Sequence, residues 1–295
     1  MIKQTLMFSN PVSLSLRDNQ MVITFKDNKD TVTRPIEDLG FVIIEHPMVN
    51  ITIPLLNELA ENNVSVVFCD KKQMPKTMLM TLEGNTTQQE SYKYQMDASL
   101  PTKKNVWKQL VECKIKNQAL LLNMLGKNGD VLKPYYMNVK SGDTDNREGA
   151  AAREYWSRIF DPGFKREREG PPPNNLLNYG YAILRAAVSR ALIGSGLYPA
   201  FGVFHRSRYN AFPLADDVME PYRPFVDEIV YHLYYDGAVT DLDSQSKGKL
   251  LRLLFSDVKI GKVTRPLENA LSITTASLLK VYKGETDKLS LPLIT

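Results

Sequence analysis

Glu83-Gly84-Asn85-Thr86-Thr87-Gln88-Gln89 divides this sequence into two kinds of chain. The stretch offers nothing to bury, and Gly84 beside Asn85 is turn chemistry, so it reads as a polar hinge. On its N-terminal side Val12, Leu14 and Leu16 alternate with small or polar residues. Asp18-Asn19 then supplies a turn, and Met21, Ile23 and Phe25 alternate again. That is the period-2 pattern of a half-buried hairpin. Phe41-Val-Ile-Ile44 and Val64-Ser-Val-Val-Phe68 are β-branched runs suited to buried strands. Between them, residues 51–61 put Leu55, Leu56 and Leu59 on one helical face. Residues 1–82 are therefore expected to form a small β-rich, sandwich-like domain.

On the C-terminal side strand patterns nearly vanish. Residues 105–125 carry helical periodicity through Trp107, Leu110, Ile115 and Leu122. Further helices are expected at 146–160, 175–193, 224–235, 245–255 and 265–283. Residues 83–295 thus read as a larger all-α domain, and the whole as a two-domain α+β protein. One stretch interrupts it: Asp161-Pro-Gly-Phe-Lys-Arg-Glu-Arg-Glu-Gly-Pro-Pro-Pro173 is too proline-rich and charged for a regular element. Its Lys165, Arg166 and Arg168 either meet phosphates or belong to a solvated loop balanced by Glu167 and Glu169.

The chain has 295 residues, 43% of them hydrophobic and 24% charged, with a net charge of +4. Such a balance permits a polyanionic partner without demanding one. Cys69 and Cys113 show no paired spacing, which argues against a disulfide framework or a cysteine zinc site. MIKQTLMFSN has no signal-peptide pattern, and the apolar stretch 191–204 is too short and too rich in glycine to span a bilayer. A cytoplasmic protein without a membrane partner is expected.

Three histidines are present, His46, His205 and His232. His46 precedes Pro47 at a strand end and reads as an exposed turn residue. His232, within Val230-Tyr-His-Leu-Tyr-Tyr235, reads as a packed core histidine. His205 follows an irregular approach, Gly202-Val-Phe-His, and precedes Asp216, Asp217 and Glu220. If residues 214–220 are helical, Glu220 shares a face with both aspartates. Such a cluster repels itself unless a cation compensates. Arg223 is one such cation, and a divalent metal is another, so both readings stay open on these residues alone. Removing one carboxylate is expected to relieve repulsion in the metal-free protein.

Glu148 stands at the head of Arg147-Glu-Gly-Ala-Ala-Ala-Arg-Glu-Tyr-Trp156, where small residues let another helix approach. The rival reading is a capping box with Asp145 as N-cap and Glu148 reaching back. One imidazole with two or three carboxylates suits Mg²⁺ or Mn²⁺ better than zinc. Such an ion polarises a phosphodiester and neutralises charge on the phosphorane. No G-x-S-x-G elbow, P-loop or dinucleotide fingerprint is present.

The Glu148 block, then Asn174-Asn-Leu-Leu-Asn-Tyr-Gly-Tyr-Ala-Ile-Leu184, then His205 through Asn210-Ala-Phe-Pro-Leu-Ala-Asp-Asp-Val-Met-Glu220-Pro-Tyr-Arg-Pro224 resemble the signature blocks of CRISPR-associated protein one, most nearly in its type II form. The resemblance covers essentially the whole chain. It implies an integrase-nuclease of spacer acquisition, with Glu148, His205 and Glu220 as metal ligands. It also implies that Asp217 supports the chemistry and that Arg223 neutralises the scissile phosphate. The partners implied are a second copy in a homodimer, CRISPR-associated protein two in a heterohexamer, duplex DNA with 3′ overhangs, CRISPR repeat DNA and the type II effector nuclease. Two other readings share these residues. One is a non-enzymatic DNA-binding scaffold, the other a stand-alone nuclease for branched DNA.

Overall fold

The computed structural model describes residues 3–26, 31–81, 83–205 and 207–295. Leu82, where the first domain is expected to end, and Met1 and Ile2 of the N-terminal reading lie outside the described residues. The chain divides into two units, 1–84 and 85–295, each with its own interior.

The first unit runs β1 (Gln4–Phe8), β2 (Val12–Arg17), β3 (Gln20–Phe25), β4 (Thr31–Pro35), β5 (Leu39–Ile44), β6 (Asn50–Ile51), α1 (Ile53–Glu61), β7 (Ser65–Cys69) and β8 (Pro75–Leu79). Asp18 and Asn19 both adopt positive φ, 51° and 55°. That is the backbone of a two-residue primed turn, and it sets the hairpin register with Leu14 opposite Ile23. Among the described residues there are two four-stranded sheets here, in the orders β1-β5-β7-β8 and β4-β3-β2-β6. β5 lies between parallel neighbours and is buried at every position, so it shows no alternation. Leu14, Met21 and Ile23 of the hairpin meet Leu39, Val42 and Ile44 of β5, with Leu55 and Leu59 of α1, in one apolar core. This is the expected β-rich, sandwich-like arrangement.

The second unit is helical: α2 (Gln88–Asp97), α3 (Leu100–Met124), α4 (Lys133–Tyr136), α5 (Arg147–Ile159), α6 (Asn174–Gly194), α7 (Pro213–Met219), α8 (Arg223–Tyr235), α9 (Ser244–Leu251), then β9 (Asp257–Ile260), β10 (Val263–Pro266), α10 (Leu267–Tyr282) and β11 (Pro292–Leu293). Ser99 caps α3 by accepting from the Thr102 amide, and Pro101 occupies its first turn. Twenty-five residues make α3 the longest helix among those described, and side chains from α5, the α7–α8 junction and the C-terminal segment gather along it. α6 is buried on nearly every side. At Gly180 a methyl group would overlap Val226 Cγ1 of α8, so glycine is what lets these two helices approach.

The expectation of an all-α second domain needs one addition, a three-stranded sheet in the order β10-β9-β11. Its strands are four residues or fewer. Asp257-Val-Lys-Ile260 alternates exposed and buried over too short a run to stand out between helices. Pro266 ends β10 and starts α10 at Leu267, while α9 stops at Leu251 and is followed by a 3₁₀ turn over Arg252–Phe255. No helix among the described residues is long and apolar enough to cross a membrane.

Candidate active site

α3 presents Trp107 and Lys114, two turns apart, on one buried face. Around Lys114 two carboxylates close. Its Nζ lies 2.6 Å from Glu148 Oε1 at the head of α5 and 2.5 Å from Glu220 Oε2 just beyond α7. Glu220 is 3% exposed, and its other oxygen accepts from Arg223 Nε at 2.9 Å. Burial alone raises a carboxyl pKa. Here Arg223 and Lys114 outweigh burial and hold Glu220 below its ordinary value. Burial likewise works against the Lys114 ammonium, but Glu220 and Glu148 outweigh it and hold that group above its ordinary value.

His205 stands on the irregular segment between α6 and α7, against Trp107. The two rings meet edge to face at 5.7 Å, and Phe204 stacks on the same indole at 4.2 Å. Asp217 fixes the histidine from below. Its carboxylate accepts the backbone N–H groups of Val203, Phe204 and His205 at 2.7–3.1 Å, and its Oδ1 lies 2.6 Å from His205 Nδ1. That hydrogen bond is the first cause of a raised imidazole pKa. Burial opposes it, and the charges of Asp217, Glu220 and Asp216 add to it. With Nδ1 engaged, Nε2 remains for a ligand, the arrangement in which a carboxylate orients a metal-binding histidine. Gly202 permits the tight path here. A Cβ on it would stand 2.8 Å from the His205 carbonyl oxygen and 3.0 Å from Asp217 Oδ2.

The structure therefore brings Glu148 and Glu220 together around one cation, pairs His205 with Asp217, and sets Arg223 on Glu220. His205 feels the charge of Glu220. Even so, among the described residues no three His, Cys, Asp or Glu side chains stand in metal-holding geometry. The shared-face expectation for the three carboxylates is corrected. Asp216 turns to Arg185 and Asn210, Asp217 to the His205 segment, and Glu220 to Lys114 and Arg223. The reason is local: α7 ends at Met219, and a 3₁₀ turn over Glu220–Tyr222 re-aims Glu220.

The capping box is corrected too. Asn146, at φ 51°, caps α5 by accepting from the Gly149 amide, and Asp143 accepts the Arg147 and Glu148 amides. Asp145 pairs with Lys140 instead, which leaves Glu148 to face α3. His232 is exposed rather than packed, its Nδ1 against Asp236, while His46 is a turn residue accepting from the Met48 amide. In the proline-rich loop Arg166 is tied to Asn174 and Asn178 rather than presented outward. Sequence reasoning missed Lys114. Its signal was position: seven residues after Trp107 and four after Leu110, it lies on the apolar stripe of α3.

Fold and site together define a class: a β-rich module followed by a helical domain whose centre gathers buried carboxylates, a carboxylate-backed histidine and basic side chains. The sequence pattern of the family described as CRISPR associated protein Cas1 matches residues 6–268, and the chain belongs to that family. It is 36% identical over 288 residues to a CRISPR-associated endonuclease Cas1 of Neisseria meningitidis, covering 97% of this chain and 93% of that one. A casposase bound to integration product shares the fold with a TM-score of 0.82 at 20% identity, covering 98% of this chain and 93% of that one. A Cas6-RT-Cas1–Cas2 complex chain matches with a TM-score of 0.74 at 20% identity, covering 97% of this chain and 35% of that one.

Proposed function

We propose that this chain is a metal-dependent DNA endonuclease and integrase of CRISPR adaptation, joining the 3′-OH ends of a short protospacer duplex to the borders of CRISPR repeats by transesterification. The observation that carries this reading is the convergence of Glu148 from the head of α5 and Glu220 from the turn after α7 on a single cation beside the Asp217-backed His205. The donor set fits a hard divalent ion, Mg²⁺ or Mn²⁺: oxygen ligands, one imidazole and a buried Glu220 Oε2 whose one close partner among the described residues is a lysine ammonium. Glu148, His205 and Glu220 would hold it. When bound, such an ion supplies charge neutralisation at the phosphorane and a lowered pKa for an attacking hydroxyl.

The chain's own residues do the rest. Asp217 keeps the His205 ring in one tautomer and orientation. Arg223, anchored on Glu220 and lying 4.6 Å over the Tyr181 ring, holds a fixed positive charge beside the carboxylates, where a scissile phosphate would sit. Next to His205 a cleft of about 470 Å³ is lined by Lys103, Phe201, Arg208 and Asn210. Cations beside an exposed aromatic are what a single nucleic-acid strand needs, through phosphate attraction and base stacking. The relatives named above support DNA and a Cas2 protein as partners. A homodimer formed through the β-rich units, a heterohexamer with Cas2 and recruitment of the type II effector nuclease follow from the resemblance, as does a cytoplasmic site of action.

The test is a joining assay with the purified protein, its Cas2 partner, Mn²⁺, a short duplex with 3′-OH ends and a plasmid bearing the repeat array. Insertion at repeat borders, lost in Glu148→Ala, is expected. Cutting of branched DNA without insertion would instead support the stand-alone nuclease. DNA binding with neither activity would support the scaffold.

A further inference from the structure

Lys114 is a buried lysine, 8% exposed, set among Leu110, Val111, Ile115 and Asn117 on the interior face of α3. Lysines are seldom placed there unless paired. Its two partners come from elsewhere in the chain, Glu148 from α5 and Glu220 from the turn after α7, and it touches one oxygen of each. Without a cation between them these two acids would repel one another at close range in a poorly hydrated place. Arg223 does not fill that need, because among the described residues it is paired with Glu220 alone, at Oε1, and makes no ion pair with Glu148.

We propose that Lys114 is the resident counter-cation of the carboxylate pair: its ammonium keeps Glu148 and Glu220 assembled in the metal-free protein and gives way when a divalent ion binds. Three features support exchange rather than permanent occupancy. Glu220 Oε2 meets the ammonium at 2.5 Å and is held by no other group among the described residues, so an arriving ion has only Lys114 to displace from it. The Glu148 side of the pair is more open, its side chain 21% exposed against 4% for Glu220, which gives the ammonium a way toward solvent. A lysine has a compact charge on a flexible four-carbon stem, so Nζ can withdraw while the stem stays packed. A divalent ion seeking the same two oxygens brings twice the charge and cannot share the space with the ammonium.

The inference rests on Glu148 and Glu220 being metal ligands. Mn²⁺ binding to the full chain is measured by calorimetry for the wild type, Lys114→Met and Glu148→Gln, with the melting temperature of each recorded without metal. Lys114→Met is expected to bind Mn²⁺ at least tenfold more tightly, to melt lower without metal and to gain more from Mn²⁺. Equal or weaker binding by Lys114→Met, with wild-type binding lost in Glu148→Gln, overturns the exchange while leaving the ligand assignment standing. No Mn²⁺ binding by either the wild type or Lys114→Met overturns both. Should Lys114→Met fail to fold, acylation of Lys114 in the wild type by acetic anhydride, followed by mass spectrometry, decides the matter. Faster modification with Mn²⁺ is expected, and an unchanged or slower rate overturns the proposal.

Discussion

At His205 a single hydrogen bond sets both geometry and pH behaviour. The Asp217 bond raises the imidazole pKa above 6.5, so in the metal-free protein the ring holds its proton to higher pH than a free histidine. A raised folded value carries stability that is fully present below the ordinary pKa and lost as pH rises through the folded one. The proposed metal would bind the neutral ring, so the proton competes with it. Mn²⁺ affinity is therefore expected to climb by about tenfold per pH unit below the folded pKa and then level off. Titrations over about pH 6–8 in the wild type and in His205→Ala check this, since the variant should show no such slope in that range. His205→Ala is also expected to abolish strand joining while keeping the fold, as read by circular dichroism.

On the proposed reading Asp217 and Glu220 have different roles. Asp217→Ala orphans three backbone donors and frees the ring, and is expected to lower Mn²⁺ affinity about 10–100-fold but to slow joining less than Glu220→Ala. The reverse order of joining rates would exchange their roles. Sequence alone suggested that deleting a carboxylate relieves repulsion. With Lys114 and Arg223 both on Glu220, its deletion instead leaves two poorly hydrated cations without their acid, which costs stability.

Between elements, Asp227 of α8 ties α5 and α6 together. It is 1% exposed and accepts from Tyr155 at 2.8 Å and from Tyr181. Burial pushes its carboxyl from 3.8 up to about 6, and the two tyrosine hydrogen bonds pull the other way. The sign follows: the stability associated with this group is fully present below pH 3.8 and lost as pH rises through about 6. The loss is on the order of 3 kcal/mol. Urea denaturation across that interval should show wild-type stability falling relative to Asp227→Asn, and parallel curves would remove the assignment.

The elements themselves were unequally legible. The hairpin around Asp18-Asn19 could be read because alternation and turn chemistry agree. The Glu148 cap could not, because three candidate acceptors, Asp143, Asp145 and Asn146, crowd one turn and only backbone geometry selects among them. Spacing left the readings of Glu148, His205 and Glu220 open and the family resemblance singled them out, but Lys114 came into view only once α3 was packed against its neighbours, since a charge on an apolar stripe gives no hint of its partners.

Over the whole molecule the candidate site lies entirely within residues 85–295, while residues 1–84 close a core of their own. A ligand stabilises only the cooperative unit that binds it. Calorimetry of the intact chain is therefore expected to show two transitions, of which Mn²⁺ moves one. At about a hundredfold excess over its Kd, one bound ion adds about 2.7 kcal/mol, which raises the midpoint of a unit this size by about 5–10 °C. In Glu148→Gln, Mn²⁺ should move neither transition. A single transition that shifts as a whole would mean that the two units melt together, and movement of both peaks in Glu148→Gln would place the ion elsewhere. A shift confined to one transition and dependent on Glu148 would tie the metal to the helical unit.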